Sequence, residues 1–375
     1  MKGSKREEWF FKLPVEVHFG LGVAGRISES IEESKRIVLV TDQGVAGQAF
    51  MRGIESQLLP VAIFKDVHPN PTVDDVDILA GILRDQQAEI LVAVGGGSVM
   101  DCAKAACCLA RTDEPGMRVF HTGRKKFSTP GVPLIVVPTT SGTGSEVTPI
   151  VVLDDPERGV KLPMASDLFY PGKALIDPEL TFGLPKKITA ATSLDALSHA
   201  IEGFWSKNSQ PICDLMAKEA ARLIFANLPA VYRNPADIKS RSAMSKAALF
   251  AGMAFQLPRN AMVHACSYPL SSLYHLSHGA ACAFTLEFAI RLNAPAMKGR
   301  MEEFAGYCGF TLDEMIAAIR RLKQDGGLPC TLKEAGIPVD GVPELIRESF
   351  HPVMKNNPVA VTEEDLRQMY EELAS

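Results

Sequence analysis

The sequence of 375 residues predicts an α/β domain followed by an all-helical domain. In the first half, short apolar runs rich in β-branched residues alternate with stretches of helix length, a pattern typical of a parallel sheet covered on both faces. After residue 187 the strand patterns stop and the apolar spacing becomes helical. We place the boundary at Pro185, which gives an α/β domain over residues 1–185 and a helical domain over residues 186–375.

Five apolar runs predict the strands of the first domain. The first of them alternates most clearly, as an edge strand does, and the others are nearly all apolar. The runs cover residues 15–19, 37–41, 60–64, 90–94 and 134–138. In the second domain, capping boxes at Thr311 with Glu314 and at Thr362 with Asp365 predict the starts of two helices.

Charge and composition exclude several classes of partner. The net charge is -5 and the pI is near 6.0, so the chain has no basic field for a nucleic acid. No apolar run reaches about 18 residues and the amino terminus lacks an export signal, which predicts a soluble protein without a membrane span. The eight cysteines are scattered through apolar segments, so we expect them to be reduced, as in a cytoplasmic protein.

A glycine-rich turn follows the fourth predicted strand directly. In GGGSVMDCAK, Gly95, Gly96 and Gly97 let the backbone approach a ligand closely, and the free amides of the next helix favour a pyrophosphate. Ser98 and Asp101 belong to the same turn and are expected near the cofactor. They also fit a capping box, an interpretation compatible with phosphate binding.

A second polar loop, TTSGTGSEVT, follows the fifth predicted strand. Its Thr139, Thr140 and Thr143 hydroxyls and its backbone amides suit phosphate or ribose, although a flexible connection would have the same composition. At the end of the strand 37–41, the Asp42 carboxylate suits the hydroxyls of an adenosine ribose and would repel a 2'-phosphate, which favours NAD over NADP. Alternatively, Asp42 caps the helix that follows Gly44.

Four side chains of the second half form a candidate metal site. Asp195 and His199 are four residues apart in a helical run and therefore leave the same face. His264 and His278 add two imidazoles, and His275 competes with His278. One carboxylate with three imidazoles suits Fe(II) or Zn(II). A single histidine is more often structural, but the joint placement favours a metal site.

These motifs resemble the iron-containing, or group III, alcohol dehydrogenase family over nearly the whole chain. The resemblance rests on GGGSVMDCAK, PTTSGTGSEVT, LDALSHAIEGF and His264 with His278-Gly279, in this order. It implies a dehydroquinate synthase-like fold with a dinucleotide-binding domain and a helical metal-binding domain, NAD(P), a homodimer, and Fe(II) or Zn(II) bound by Asp195, His199, His264 and His278. It also implies that Lys161 lies beside the nicotinamide ribose.

The sequence departs from the family at Tyr268, one turn after His264. The family usually has a further histidine there that is thought to relay protons, and a phenol is a poor acid or base near neutrality. Tyr268 either takes part in catalysis together with His264 or merely packs. The run His-Ala-x-Ser-Tyr-Pro after Arg259 is similar to a branch that reduces phosphonate-bearing aldehydes such as phosphonoacetaldehyde, although Arg259 fits a surface position equally well.

The expected activity is hydride transfer between a nicotinamide and a small alcohol or aldehyde. Two enzymatic alternatives are a glycerol dehydrogenase-like polyol oxidoreductase, which uses fewer metal ligands, and a dehydroquinate synthase-like lyase. A third alternative is a protein that binds nucleotide without turnover, which only Tyr268 suggests.

Overall fold

A computed structural model describes residues 8–31 and 35–374. Residues 1–7, part of the terminus where the sequence predicts no export signal, lie outside this description. The main sheet has six strands in the order β1-β8-β5-β4-β2-β3, and every neighbouring pair is parallel. The strands are Glu16–Phe19 (β1), Ile37–Val40 (β2), Ala62–Phe64 (β3), Ile90–Gly95 (β4), Leu134–Pro138 (β5), Ile150–Asp155 (β6), Val160–Ala165 (β7) and Lys173–Ile176 (β8).

All five predicted strands are present, and β1 lies at an edge as its alternation predicted. Three further strands were not predicted. β6 and β7 form an antiparallel hairpin outside the main sheet, and β8 lies between β1 and β5. β7 was not predicted because its apolar residues are interrupted by Pro163 and by the charged Lys161.

Helices cover the sheet and make up the second half. The first half contains Gln43–Ala46 (α1), Ala49–Leu58 (α2), Val73–Asp85 (α3), Gly97–Leu109 (α4) and Arg118–His121 (α5). The second half contains Lys186–Trp205 (α6), Pro211–Arg233 (α7), Ile238–Phe255 (α8), Met262–Tyr274 (α9), His278–Asn293 (α10), Arg300–Tyr307 (α11), Leu312–Gly326 (α12), Val342–Glu348 (α13) and Glu363–Ala374 (α14). Short 3₁₀ helices cover Val23–Ser30, Ser145–Val147, Asp167–Phe169, Pro178–Thr181, Ala294–Met297, Val339–Gly341 and Pro352–Asn356.

Apolar packing divides into three clusters, two on the faces of the sheet and one in the helical half. α6 is buried along nearly its whole length and packs against α7, α8, α10 and α12. Both predicted capping boxes are confirmed, at Thr311 before α12 and at Thr362 before α14. The predicted fold class, an α/β half followed by an all-helical half, is therefore confirmed. Within the described residues, the structure has no helix with the length and apolar character needed to span a membrane.

Candidate metal centre and cofactor cleft

Helices α6, α9 and α10 bring the four predicted metal donors together. Oδ1 of Asp195 lies 3.9 Å from Nε2 of His199, 3.7 Å from Nε2 of His264 and 3.8 Å from Nε2 of His278. The Nε2 atoms of His199 and His264 are 3.0 Å apart. Donors about 2.1 Å from a shared tetrahedral ion are separated by about 3.4 Å, so this spacing is close to that of a metal site.

The electrostatics of this cluster also fit a cation. Oδ1 of Asp195 is buried and has no hydrogen-bond donor, a state that is costly unless an ion satisfies the oxygen. Burial acts to raise the pKa of Asp195, but the imidazoles of His199, His278 and His264 hold it below its usual range, so the carboxylate is charged. Burial lowers the pKa of His199 to about 3, which leaves a neutral imidazole free to coordinate.

The buried Glu202 orients one of the imidazoles. Its Oε2 accepts a hydrogen bond from Nδ1 of His264 at 2.5 Å, and its Oε1 accepts one from the backbone N–H of Val263 at 2.6 Å. Because a carboxylate only accepts, Nδ1 carries the proton of this hydrogen bond, and Nε2 is the ring nitrogen that faces Asp195. Glu202 lies in the motif LDALSHAIEGF, three residues after His199, and this helical spacing is the signal that the sequence analysis missed.

Close packing fixes two further imidazoles. An ideal Cβ on Gly279 would lie 2.1 Å from the carbonyl oxygen of Ala191 and 3.0 Å from Cβ of Asp195, so α10 contacts α6 backbone to backbone next to His278. The ring of Phe255 stacks on the ring of His199, with centroids 4.0 Å apart and 10° between the planes. These contacts restrict the positions of the two donor rings before any ligand binds.

The structure distinguishes the two competing histidines. His275 is exposed, has a left-handed backbone with φ of 56° and ends α9 away from the donors. His278 begins α10 and its side chain is 33% exposed, so the otherwise buried cluster is open on this side. One turn further along α10, Sγ of Cys282 lies 3.9 Å from Nε2 of His278. No pattern in the sequence pointed to Cys282 as part of the site.

The two glycine-containing loops leave the sheet side by side. β4 and β5 pair with Gly95 opposite Pro138, and the backbone N–H of Thr139 donates to the carbonyl of Gly95 at 3.0 Å. An ideal Cβ on Gly97 would lie 2.6 Å from Cγ2 of Thr143, so the two loops interlock where a side chain is absent. Both loops lie at the carboxyl ends of parallel strands, where ligands bind in α/β sheets.

A buried network ties the loops to α4. Nζ of Lys104 donates to Oγ of Ser145 at 2.7 Å and to the carbonyl of Thr148 at 3.0 Å. Oγ of Ser145 donates to Oδ1 of Asp101 at 2.5 Å, and the N–H of Val152 donates to Oδ2 at 2.9 Å. Both oxygens of the Asp101 carboxylate therefore have internal partners, while its predicted contact with a cofactor stays a prediction.

The capping box expected at Ser98 and Asp101 is wrong. α4 begins at Gly97 with Gly96 as its N-cap, so Ser98 already lies in the first helical turn. Its hydroxyl donates instead to the carbonyl of Pro69. The three glycines allow the helix to begin earlier than the polar residues indicated.

The remaining predicted cofactor residues surround the same edge of the sheet. Asp42 follows β2, the neighbour of β4, and its Oδ1 accepts a hydrogen bond from the N–H of Val45 at 2.9 Å. The capping interpretation of Asp42 is thus confirmed, and its ribose role stays a prediction. Lys161 lies on β7, where its Nζ donates to Oδ1 of Asn70 at 2.8 Å.

The second loop also joins the two halves of the molecule. An ideal Cβ on Gly142 would lie 2.7 Å from Cβ of Thr192, and one on Gly144 would lie 2.5 Å from Cα of Gly252. Thr192 lies on α6 one turn before Asp195. The loop that follows β5 therefore packs directly on the helix that carries the first two predicted metal donors.

Comparison with known proteins agrees with this geometry. The model of the iron-containing alcohol dehydrogenases matches residues 14–178, and the model of the C-terminal part of the Fe-containing alcohol dehydrogenase family matches residues 189–374. The chain belongs to the iron-containing alcohol dehydrogenase family. This membership makes it an oxidoreductase of the alcohol dehydrogenase type.

Individual members of the family resemble the chain over nearly its full length. Alcohol dehydrogenase 4 of Saccharomyces cerevisiae is 33% identical over 368 residues, which cover 95% of this chain and 96% of the relative. Sulfoacetaldehyde reductase of Bilophila wadsworthia is 30% identical over 372 residues, with 92% and 95% covered. The crystal structure of sulfoacetaldehyde reductase from Bifidobacterium kashiwanohense in complex with NAD+ has a TM-score of 0.94 and 40% identity, with 98% and 99% covered.

Tyr268 stands where the resemblance to the family led us to expect a histidine. The side chain is half-buried on α9, and burial raises its pKa to about 12, so the phenol keeps its proton. Its ring meets the ring of His351 edge-on, with centroids 4.8 Å apart. His351 comes from the C-terminal segment before the 3₁₀ helix Pro352–Asn356, and no local pattern in the sequence connects it with Tyr268.

Arg259 lies in the connection between α8 and α9, which runs from Phe255 to the metal-donor helix. Its backbone is left-handed, with φ of 70°, which is unfavourable for a residue other than glycine. Nδ2 of Asn356 contacts the carbonyl oxygens of Pro258, Arg259 and Asn260 at 2.7, 3.2 and 3.0 Å, and so holds this conformation. Arg259 is half-buried, and no carboxylate of the described residues forms a direct ion pair with it. Burial lowers its pKa, while Tyr170 and the carboxylate of Asp167 act in the opposite direction.

Proposed function

We propose that this enzyme is an NAD(H)-dependent reductase of small aldehydes that carry an acidic head group, and that it uses a bound divalent cation. The observation that carries the proposal is the convergence of three imidazoles on Oδ1 of Asp195, a buried carboxylate oxygen with no hydrogen-bond donor. A buried charge without compensation is unfavourable, and a cation supplies the compensation.

The residues that would bind the cation are Asp195, His199, His264 and His278. Their donor set of one carboxylate and three imidazoles suits Fe(II) or Zn(II). When bound, such a cation is a Lewis acid that polarises a carbonyl group. Glu202 keeps His264 in the tautomer that presents Nε2 to the cluster.

We propose that the two loops that follow β4 and β5 bind the cofactor. The free amides at the start of α4 suit the pyrophosphate, and Gly95, Gly96 and Gly97 allow its close approach. Thr139, Thr140 and Thr143 supply hydroxyls in the adjoining loop. The carboxylate of Asp42 and the ammonium of Lys161 are proposed to contact the two riboses. Asp42 favours NAD over NADP, in line with the NAD+ complex of the relative from Bifidobacterium kashiwanohense.

Hydride transfer requires the nicotinamide and the carbonyl carbon to be held at a fixed distance. The contact of Gly142 with Thr192, one turn before Asp195, supports such an arrangement because it joins the cofactor loop to the donor helix. Tyr268 keeps its proton near neutrality, so we assign it a hydrogen bond to the substrate and not the role of a base. The proton for the alcohol product then comes through water or the cofactor ribose.

An acidic head group is proposed because of Arg259. The half-buried guanidinium forms no direct ion pair among the described residues, and its fork of N–H donors would match sulfonate or phosphonate oxygens. Asn356 maintains the strained backbone that positions this side chain. The names of two relatives, both sulfoacetaldehyde reductases, support a substrate of this class.

The position of His199 argues against a polyol oxidoreductase with fewer metal ligands. Its Nε2 lies 3.0 Å from that of His264, and its ring is held by Phe255. Nothing in this arrangement separates His199 from the other donors. The four-ligand alcohol dehydrogenase is therefore the better description of the cluster than the glycerol dehydrogenase-like alternative.

The test is an anaerobic assay with NADH and NADPH after loading with Fe(II) or Zn(II). Sulfoacetaldehyde and phosphonoacetaldehyde are compared with propionaldehyde, in the wild type and in Arg259→Ala. Loss of a charged hydrogen bond should lower kcat/KM for the acidic aldehydes about ten- to a hundredfold. The value for propionaldehyde should change little.

The exposed Arg347 forms ion pairs with Glu344 and Glu348 among the described residues, and Arg347→Ala provides a matched control. This control should leave all three substrates unaffected. Equal losses for acidic and neutral aldehydes in Arg259→Ala would remove the head-group assignment. Absence of turnover with every aldehyde, metal and cofactor would contradict the proposed activity as a whole.

A further inference from the structure

We propose that Sγ of Cys282 is an additional donor to the cation assigned above to Asp195, His199, His264 and His278. This inference rests on the proposed function, because it concerns the metal that the activity requires. Cys282 lies four residues after His278 on α10, so both side chains leave the helix on the same face.

The distances place the thiol inside the donor cluster. One donor atom from each of Asp195, His264, His278 and Cys282 can be chosen so that all four lie within 4.8 Å of one another. Sγ itself lies 3.9 Å from Nε2 of His278. An ion that contacts the imidazole nitrogens and Oδ1 of Asp195 is therefore also close to the sulfur.

The surroundings of Cys282 differ from those of a cysteine that only fills space. Its side chain is fully buried, yet it faces two imidazoles and the carboxylate oxygen that has no hydrogen-bond donor. A free cysteine usually packs as a small apolar group. Cys213, on α7, is equally buried and contacts the side-chain amide of Gln210 outside this cluster. It offers a matched comparison.

A thiolate changes the chemistry of the donor set. On binding, the S–H bond of Cys282 breaks, a bond forms between sulfur and the cation, and the proton leaves to solvent. With Asp195 the site then carries two negative charges, which balance a divalent cation. Because sulfur is a soft donor, Cys282 should favour Zn(II) or Co(II) over Fe(II).

Titration of the metal-free enzyme with Co(II) provides the first test. The wild type and Cys213→Ala should show a thiolate-to-cobalt charge-transfer absorption in the near ultraviolet. Cys282→Ala should lack this band, keep the weaker visible ligand-field bands of bound cobalt, and lose more affinity for Zn(II) than for Fe(II). A wild type without the band, or a Cys282→Ala variant that retains it, would overturn the assignment.

X-ray absorption of the zinc-loaded wild type is the second test, and it does not depend on the folding of any variant. We expect one sulfur at about 2.3 Å among nitrogen and oxygen ligands at about 2.0–2.1 Å. A first shell of nitrogen and oxygen alone would exclude Cys282 and leave the proposed activity intact. A wild type that binds no divalent metal would instead contradict the proposed function.

Discussion

The cofactor loops and the metal-donor cluster are built on opposite principles. The loops after β4 and β5 are shaped mainly by backbone contacts and by missing side chains, as at Gly97 against Thr143. The donor cluster depends on the side chains that three helices direct to one point, beside Oδ1 of Asp195. Substitutions should therefore damage the loops where an atom is added and the cluster where a donor is removed.

The two regions also differ in what they require from a ligand. The polar groups of the loops already have hydrogen-bond partners within the protein, since Lys104 and Asp101 both form hydrogen bonds with the hydroxyl of Ser145. The donor cluster leaves a buried carboxylate oxygen without a hydrogen bond. Binding of a cation should thus stabilise the helical half more than binding of NAD stabilises the sheet half. Five substitutions, with two control variants, test this contrast.

Replacement of His264 should have the largest effect. His264→Ala removes a proposed metal donor beside Asp195 and leaves the buried Glu202 without its imidazole partner, so turnover should fall to background in every metal and cofactor condition. The exposed His275 is the control, as His275→Asn, because asparagine tolerates the left-handed backbone there. This control should keep activity within about twofold of the wild type. Retained turnover in His264→Ala would remove it from the ligand set.

Gly279→Ala should displace one of the candidate metal donors by forcing two helix backbones apart. The new Cβ would lie 2.1 Å from the carbonyl oxygen of Ala191, so α10 must move away from α6 and carry His278 with it. We expect a loss of about 1–3 kcal/mol in the free energy of unfolding, together with weaker metal binding. Denaturant unfolding and zinc titration measure both effects. Gly306→Ala, at a helical glycine with open space around it, should be neutral or stabilising, and an equal loss there would refute the packing argument.

Glu202→Gln should distinguish most clearly between metal binding by the donor cluster and cofactor binding by the loops. The amide keeps the shape of the carboxylate but not its charge, so it orients His264 less well and metal affinity should fall about 10- to 100-fold. Chelator competition gives the metal affinity, and fluorescence titration gives the affinity for NADH. The affinity for NADH should stay unchanged, and an equal decrease in both would mean that the two regions are not independent.

Substitutions in the loop after β4 should lower the affinity for NADH and have the smallest effect on metal affinity, the opposite of Glu202→Gln. In Gly97→Ala the added Cβ lies 2.6 Å from Cγ2 of Thr143, and the strain should cost about 1–3 kcal/mol of stability along with affinity for NADH. In Gly96→Ala the nearest atoms, on Thr140, are 3.4 Å away. This variant should fold normally and lose only cofactor affinity. Normal NADH binding by Gly96→Ala would remove Gly96 from the pyrophosphate site.

Features of the fold and of the site that depend on residues close together in the sequence could be predicted, whereas those that depend on contacts between distant residues could not. Helical spacing and the joint pattern of Asp195, His199, His264 and His278 were sufficient to anticipate a donor cluster, and apolar runs predicted five strands. Glu202 and Cys282 have the same helical spacing but were overlooked, because one buried glutamate or cysteine has no distinctive pattern. The contact of Asn356 with residues 258–260 joins distant parts of the chain, and no local property of either segment predicts it.

The neighbouring positions of β1 and β8 affect how the protein is made. Residues 16–19 pair with residues 173–176, so a chain that leaves the ribosome from its amino terminus cannot complete the sheet until nearly half of it has been synthesised. Until then β1 is a strand with unpaired backbone groups, which exposes the nascent chain to association with other chains. Slow translation before residue 173 should therefore lower the soluble yield, whereas slow translation after residue 176 should be tolerated.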